Sequence, residues 1–139
     1  MWKRWSAVVV ILLGAALAWW YYPTDFGTDL PPKLPPTVPI VDGEIVKSTE
    51  GLFASGKGYI IVIRTSDLFA DVVAYYQEAF DRNGYQTTVT DAVPGQGAKD
   101  DLVTFEARQG SHTVLAEIKW NGKLTYVTTA VNMHKWILP

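Results

Sequence analysis

Two histidines, His112 and His134, are the side chains in this sequence best suited to acid–base or metal chemistry, and neither has the neighbours such chemistry needs. A general base requires a carboxylate or nucleophile within reach, and a helical metal pair requires spacing such as H-x-x-x-H; the residues around both histidines supply neither. Asp100-Asp101 offers oxygen ligands to a hard cation, but adjacent acids in a glycine-containing loop read as solvated turn residues. Gly95-Gln96-Gly97 follows Pro94 and does not open a helix, so it provides no phosphate cradle. The 139 residues contain no cysteine, which excludes thiolate nucleophiles, thiolate metal sites and disulfides. Lys and Arg number 12 against 14 Asp and Glu, a net charge of −2 that gives no basic field for nucleic acid. These residues imply no catalysis, no metal and no cofactor, and leave a binding or structural role.

The elements that would carry such a role fall into an anchor, a linker and a domain. No charge occurs from Trp5 to Thr24, and Ala7–Ala18 is apolar throughout apart from Gly14. The 18 residues from Trp5 to Tyr22 would span roughly 27 Å as a helix, close to the ~30 Å of a bilayer's hydrocarbon core. Trp2 and Trp5 at one end, with Trp19, Trp20, Tyr21 and Tyr22 at the other, match the aromatic belts of two membrane interfaces. Lys3 and Arg4 before the span, with Asp25 and Asp29 after it, predict a cytoplasmic N-terminus and an extracytoplasmic, periplasmic domain on the bacterial inner membrane. Ala16-Leu17-Ala18 also fits a signal-peptide cleavage site, although cleavage there would leave bulky Trp19 and Trp20 just beyond the scissile bond. Residues 1–22 are therefore read as a transmembrane anchor. Residues 23–39 hold six of the eight prolines and are expected to form an extended, polyproline-like spacer.

Residues 40–132 are read as one α+β domain, a single helix packed on an antiparallel sheet of about five to six strands. The helix is predicted over 67–83, with Ser66 as N-cap, Gly84 beyond its last turn, and Phe69, Val72, Val73, Tyr76 and Phe80 on one buried stripe. Gly58–Arg64 predicts a strand covered on both faces and Ile40–Lys47 a weaker one; four more are expected near 86–93, 102–108, 112–120 and 124–132. Taken as a two-residue loop, Asn121-Gly122 sets Ile118 opposite Thr125 and Ala116 opposite Val127. A two-residue loop at Gln109-Gly110 or Gly110-Ser111 then puts Val103, Phe105 and Ala107 on the same apolar face. The reverse face carries Thr104, Glu106, Arg108, Thr113 and Glu117, interrupted by Leu115 and Tyr126, and should meet water or a partner.

The order of strand, helix with Val72-Val73-Ala74-Tyr75-Tyr76 and Gly84-Tyr85 at its exit, then antiparallel meander resembles small membrane-tethered extracytoplasmic domains of bacteria with no assigned chemistry. Met1-Trp2-Lys3-Arg4-Trp5 is similar to the opening of the light-harvesting α polypeptides of purple bacteria, which would imply a companion of such a complex. Those polypeptides hold pigment through a histidine in the span, and residues 1–22 contain none. Residues 133–139 end in Trp136, Ile137, Leu138 and Pro139, an apolar tail suited to docking on a partner or on the domain itself. Leu115, Tyr126, Trp136, Ile137 and Leu138 are the expected partner-docking set. The leading expectation is a non-catalytic, single-pass accessory subunit of a larger membrane complex, with photosynthetic or respiratory energy transduction as its sharper form. Its partners would be integral membrane subunits and the lipid bilayer, with no nucleic acid. The rival expectation is a membrane-tethered ligand-binding or sensing module.

Overall fold

The computed structural model of the chain describes residues 23–53, 56–91, 101–110 and 112–133. The candidate anchor, the loop with Gly95 and Asp100, and the tail with His134, Trp136, Ile137 and Leu138 lie outside them. So do Trp2, Trp5, Trp19, Trp20, Tyr21 and Tyr22. Among the described residues no helix is long and apolar enough to cross a membrane.

The strands are β1 (Glu44–Phe53), β2 (Gly56–Thr65), β3 (Gln86–Asp91), β4 (Asp101–Gln109), β5 (His112–Trp120) and β6 (Thr125–Asn132), with helix α1 (Phe69–Arg82) between β2 and β3. They form one six-stranded antiparallel sheet in the order β1-β2-β6-β5-β4-β3, with α1 on one face. The domain is α+β, as its sequence pattern predicts.

Period-2 alternation decides which face of the sheet is core. Val103, Phe105, Ala107, Val114, Ala116, Ile118, Val127 and Val131 are all buried against Val72, Tyr76 and Phe80 of α1. Each of the Val, Ile and Phe side chains contributes roughly 1.5–3 kcal/mol of burial, and each alanine methyl about 0.8 kcal/mol. The helix begins later than predicted, at Phe69, and its N-cap, Leu68, makes no side-chain hydrogen bond. The reason is that Thr65 Oγ1 accepts the Asp67 amide, and the Asp67 carbonyl accepts Thr125 Oγ1, so Ser66 and Asp67 belong to a tethered turn. At the other end Gly84, with φ of 79°, gives its amide to Asp81, and the Tyr85 amide reaches back to Phe80, a Schellman stop.

Three expectations are corrected. The β5–β6 pairing is displaced by two residues: Ile118 opposes Val127 and Ala116 opposes Thr129. The Asn121 amide donates to the Leu124 carbonyl while Asn121 Oδ1 accepts the Lys123 and Leu124 amides, which makes Gly122-Lys123 the loop. Gly122, at φ of 92°, supplies the positive φ needed at the first central position. A shift of two preserves parity, so the faces stand. Second, β2 is covered on one face only; Ile61 and Ile63 are buried, while Ile60 and Val62 are half-buried on the face away from α1.

Third, the proline-rich segment is no spacer. Leu34 and Val38 close turns onto Pro31 and Pro35, Val38 and Val41 enter the core, and Leu34 and Ile40 pack beside them. The Val41 amide donates to Tyr76 Oη and Tyr75 Oη donates to the Ile40 carbonyl, binding this strap to α1. Before the strap, the Phe26 amide donates to the Ser48 carbonyl and the Glu50 amide to the Thr24 carbonyl, covering the β1 edge. Apolar residues between the prolines account for this packing, since a free spacer would expose them.

Candidate functional site

Val72, Tyr76 and Phe80 of the helix stripe are buried in one core with Val103, Phe105, Val114 and Ile118, and Phe69 and Val73 pack half-buried beside them, so side chains fill the space between α1 and the sheet. The candidate site is instead an open concavity of about 690 Å³ at the end of the sheet where β1, β4 and β6 finish and β3 and β5 begin. Its apolar wall is Phe53, Leu115 and Ala130. Leu115 and Ala130 are direct cross-strand partners, and Leu115 remains 44% exposed. Phe53 lies across Gly51 and Gly58: a Cβ on Gly51 would stand 3.0 Å from its ring, and one on Gly58 2.8 Å. The two glycines are what allow an aromatic ring to lie flat over this end of the sheet.

The rim is polar and electrically balanced. Arg108 Nη2 pairs with Glu106 Oε1 at 2.7 Å, and Gln86 opposes Arg108 across β3 and β4. His112 and Gln109, also in the lining, lead inward to a hydrogen-bond network that reaches the strap. Thr37 Oγ1 donates to Gln109 Oε1 at 3.1 Å and lies 3.0 Å from Tyr85 Oη, which lies 2.6 Å from His112 Nε2. A hydroxyl has one proton. Thr37 commits its proton to Gln109, so Tyr85 donates to Thr37, and Tyr85 Oη accepts from the protonated Nε2 of His112. Gln109 Nε2 donates to the Asn83 carbonyl and Asn83 Nδ2 to the Thr37 carbonyl, both at 2.8 Å. Burial pushes the Tyr85 phenol above its ordinary range, which keeps it a proton donor. This network makes the back of the concavity rigid. Among the described residues no three His, Asp or Glu converge as metal ligands.

Of the residues singled out from sequence, Leu115 falls in the concavity. Tyr126 shares the open face but lies four residues from Ala130 on β6, roughly 13 Å away, directly opposite Arg64, itself ion-paired to Glu44. The structure therefore separates these two residues of the docking set. His112 is a buried structural histidine behind the site. Phe53, Ala130, Arg108 and Tyr85 carry no motif, and only the glycines at 51 and 58 mark in sequence where a ring could lie against a strand.

A family model described as START domain-like matches residues 45–123, more than half of the chain. The chain belongs to the START domain-like family. The match runs from β1 to the β5–β6 turn and takes in α1, so most of the helix–sheet core and most of the concavity lie inside the START domain-like region, with Val38, Val41 and β6 outside it. Curated proteins and solved structures return no match.

Proposed function

We propose that this START domain-like protein is a membrane-tethered ligand-binding module, non-catalytic, whose site is the concavity of Phe53, Leu115 and Ala130. Membership of the family supports a ligand-binding role. The observation that carries the reading is an exposed apolar wall beside a rim without net charge, backed by a rigid buried network. Such a surface favours an amphiphile with a hydrocarbon body on Phe53 and Leu115 and an uncharged polar head among Gln86, Gln109 and the Glu106–Arg108 pair. Residues 1–22 act in this reading as the anchor in the bacterial inner membrane, with the domain on the periplasmic side.

The test is photo-crosslinking of the full chain in nanodiscs with a diazirine-bearing long-chain alcohol, followed by peptide mapping. Label should concentrate on the peptides carrying Phe53, Leu115 and Ala130 and fall several-fold in Ala130→Trp, which fills the wall. Label spread evenly over the domain, or unchanged by that substitution, refutes the site. The rival role as an accessory subunit makes a different forecast, in which the extracted chain migrates with partner polypeptides and Ala130→Trp dissociates them without any bound small molecule.

A further inference from the structure

We propose that the domain rests directly on the lipid bilayer, seated on the sheet end formed by Leu52, Phe53, Lys57, Gly110 and Met133. This rests on the tether reading and concerns its geometry. The argument is where the two ends of the described fold emerge. The Thr24 carbonyl accepts the Glu50 amide at 2.9 Å and Asp25 bridges antiparallel to Thr49. Chain preceding Thr24 therefore heads along β1 toward Leu52 and Phe53. Tyr22, the last residue of the uncharged aromatic and apolar run, is two residues before Thr24, a reach of at most about 7 Å. Of the six prolines in 23–39, the five from Pro31 to Pro39 lie after this pairing, folded into the strap, and only Pro23 precedes it.

The other terminus leaves at the same end. The Met133 amide donates to the Lys57 carbonyl at 3.2 Å, directly beyond β6, and the chain that follows contains Trp136, Ile137 and Leu138. Register puts Gly58, Asn132, Thr113, Arg108 and Gln86 in one row, so the lining of the concavity is at this end too, and its mouth meets the lipid. The opposite end, with Thr65, Leu68 and the Gly122 turn, is a strand length of roughly 30 Å away. A bilayer is the one occupant that the uncharged run before Thr24 and the apolar tail after Met133 both fit.

The chain has no native cysteine, so single probes can be placed cleanly. Leu52→Cys and Leu68→Cys, at leucines 60% and 70% exposed, are labelled with an environment-sensitive fluorophore in the full chain, reconstituted in liposomes containing nitroxide-headgroup lipid. The two positions match in exposure and polarity and differ in the end they occupy. Quenching at position 52 should exceed that at 68 at least about twofold, as expected for a probe at interfacial depth. Inserting twelve Gly/Ser residues between Tyr22 and Pro23, with a reach of roughly 20 Å, should abolish the difference. Co-flotation with equal quenching at the two positions, or stronger quenching at 68, overturns the seating while leaving tether and ligand site standing. A chain that fails to float with the liposomes overturns the tether and the seating together, and leaves the crosslinking test of the concavity unaffected.

Discussion

Alkaline pH should destabilise this domain in a window set by Tyr76. The side chain has no solvent exposure, and burial pushes its phenol from 10.0 up to about 12, against the Val41 amide hydrogen bond, which favours the phenolate. The folded value lies above the unfolded one. Stability from the neutral phenol is therefore complete below pH 10 and is lost as pH rises from about 10 to about 12, because the unfolded chain ionises first. A difference of about two units is worth roughly 2–3 kcal/mol, a large share of the ~5–15 kcal/mol that holds a typical domain. Burial raises Tyr85, and burial followed by the Glu50 carboxylate raises Tyr59, so the whole chain should lose more than Tyr76 alone accounts for. Tyr76→Phe isolates the share. At pH 8 the variant should be weaker by about 1–3 kcal/mol, since the Val41 amide loses its buried acceptor. Between pH 9 and 11.5 its stability should fall less steeply than that of the parent. Urea unfolding of the full chain in mild detergent, followed by far-UV circular dichroism at several pH values, measures both. Parallel pH curves for parent and variant would refute the reasoning.

Gly58→Ala should cost at least about 2 kcal/mol in the same urea assay, because its Cβ would collide with the Val131 carbonyl oxygen and the Phe53 ring; Gly110→Ala, which meets nothing within 4 Å, should stay within about 0.5 kcal/mol. Ser48 Oγ is buried with no hydrogen-bond partner among the described residues, so Ser48→Ala should leave thermal stability equal or raise it by up to about 1 kcal/mol, and a fall of that size would show an unseen partner. Phe80→Ala removes a ring in edge contact with Tyr85 and tilted contact with Tyr76 and Phe105, and should lower stability by about 3–5 kcal/mol. His112→Leu deprives the buried Tyr85 hydroxyl of its donor and should cost about 1–3 kcal/mol, read by thermal melting.

Periodicity carried the elements. A helical stripe from Phe69 to Phe80 and alternating apolar residues in β4, β5 and β6 name their own buried faces, because side-chain direction repeats every 3.6 or 2 residues whatever the surroundings. The displaced β5–β6 turn shows how robust this is: the loop moved from Asn121-Gly122 to Gly122-Lys123 and no residue changed face, since the register shifted by an even number. The candidate site was far less legible. Phe53, Leu115, Ala130 and Arg108 are spread over four strands, and only the pairing order β1-β2-β6-β5-β4 sets them around one concavity.

What the sequence determined by itself is therefore local: the helix and its glycine stop, the strand faces, the absence of thiol chemistry, and an uncharged run long enough to span a bilayer. Tertiary structure decided the rest. It folded the prolines of 31–39 into a strap, because Leu34, Val38, Ile40 and Val41 gain more by burial against α1 than the extended conformation offers. It turned His112 from a strand-start residue into the donor that holds Tyr85. Both outcomes depend on groups tens of residues apart, Thr37 with Tyr85 and Val41 with Tyr76, and contacts at that separation leave no periodic trace in the chain.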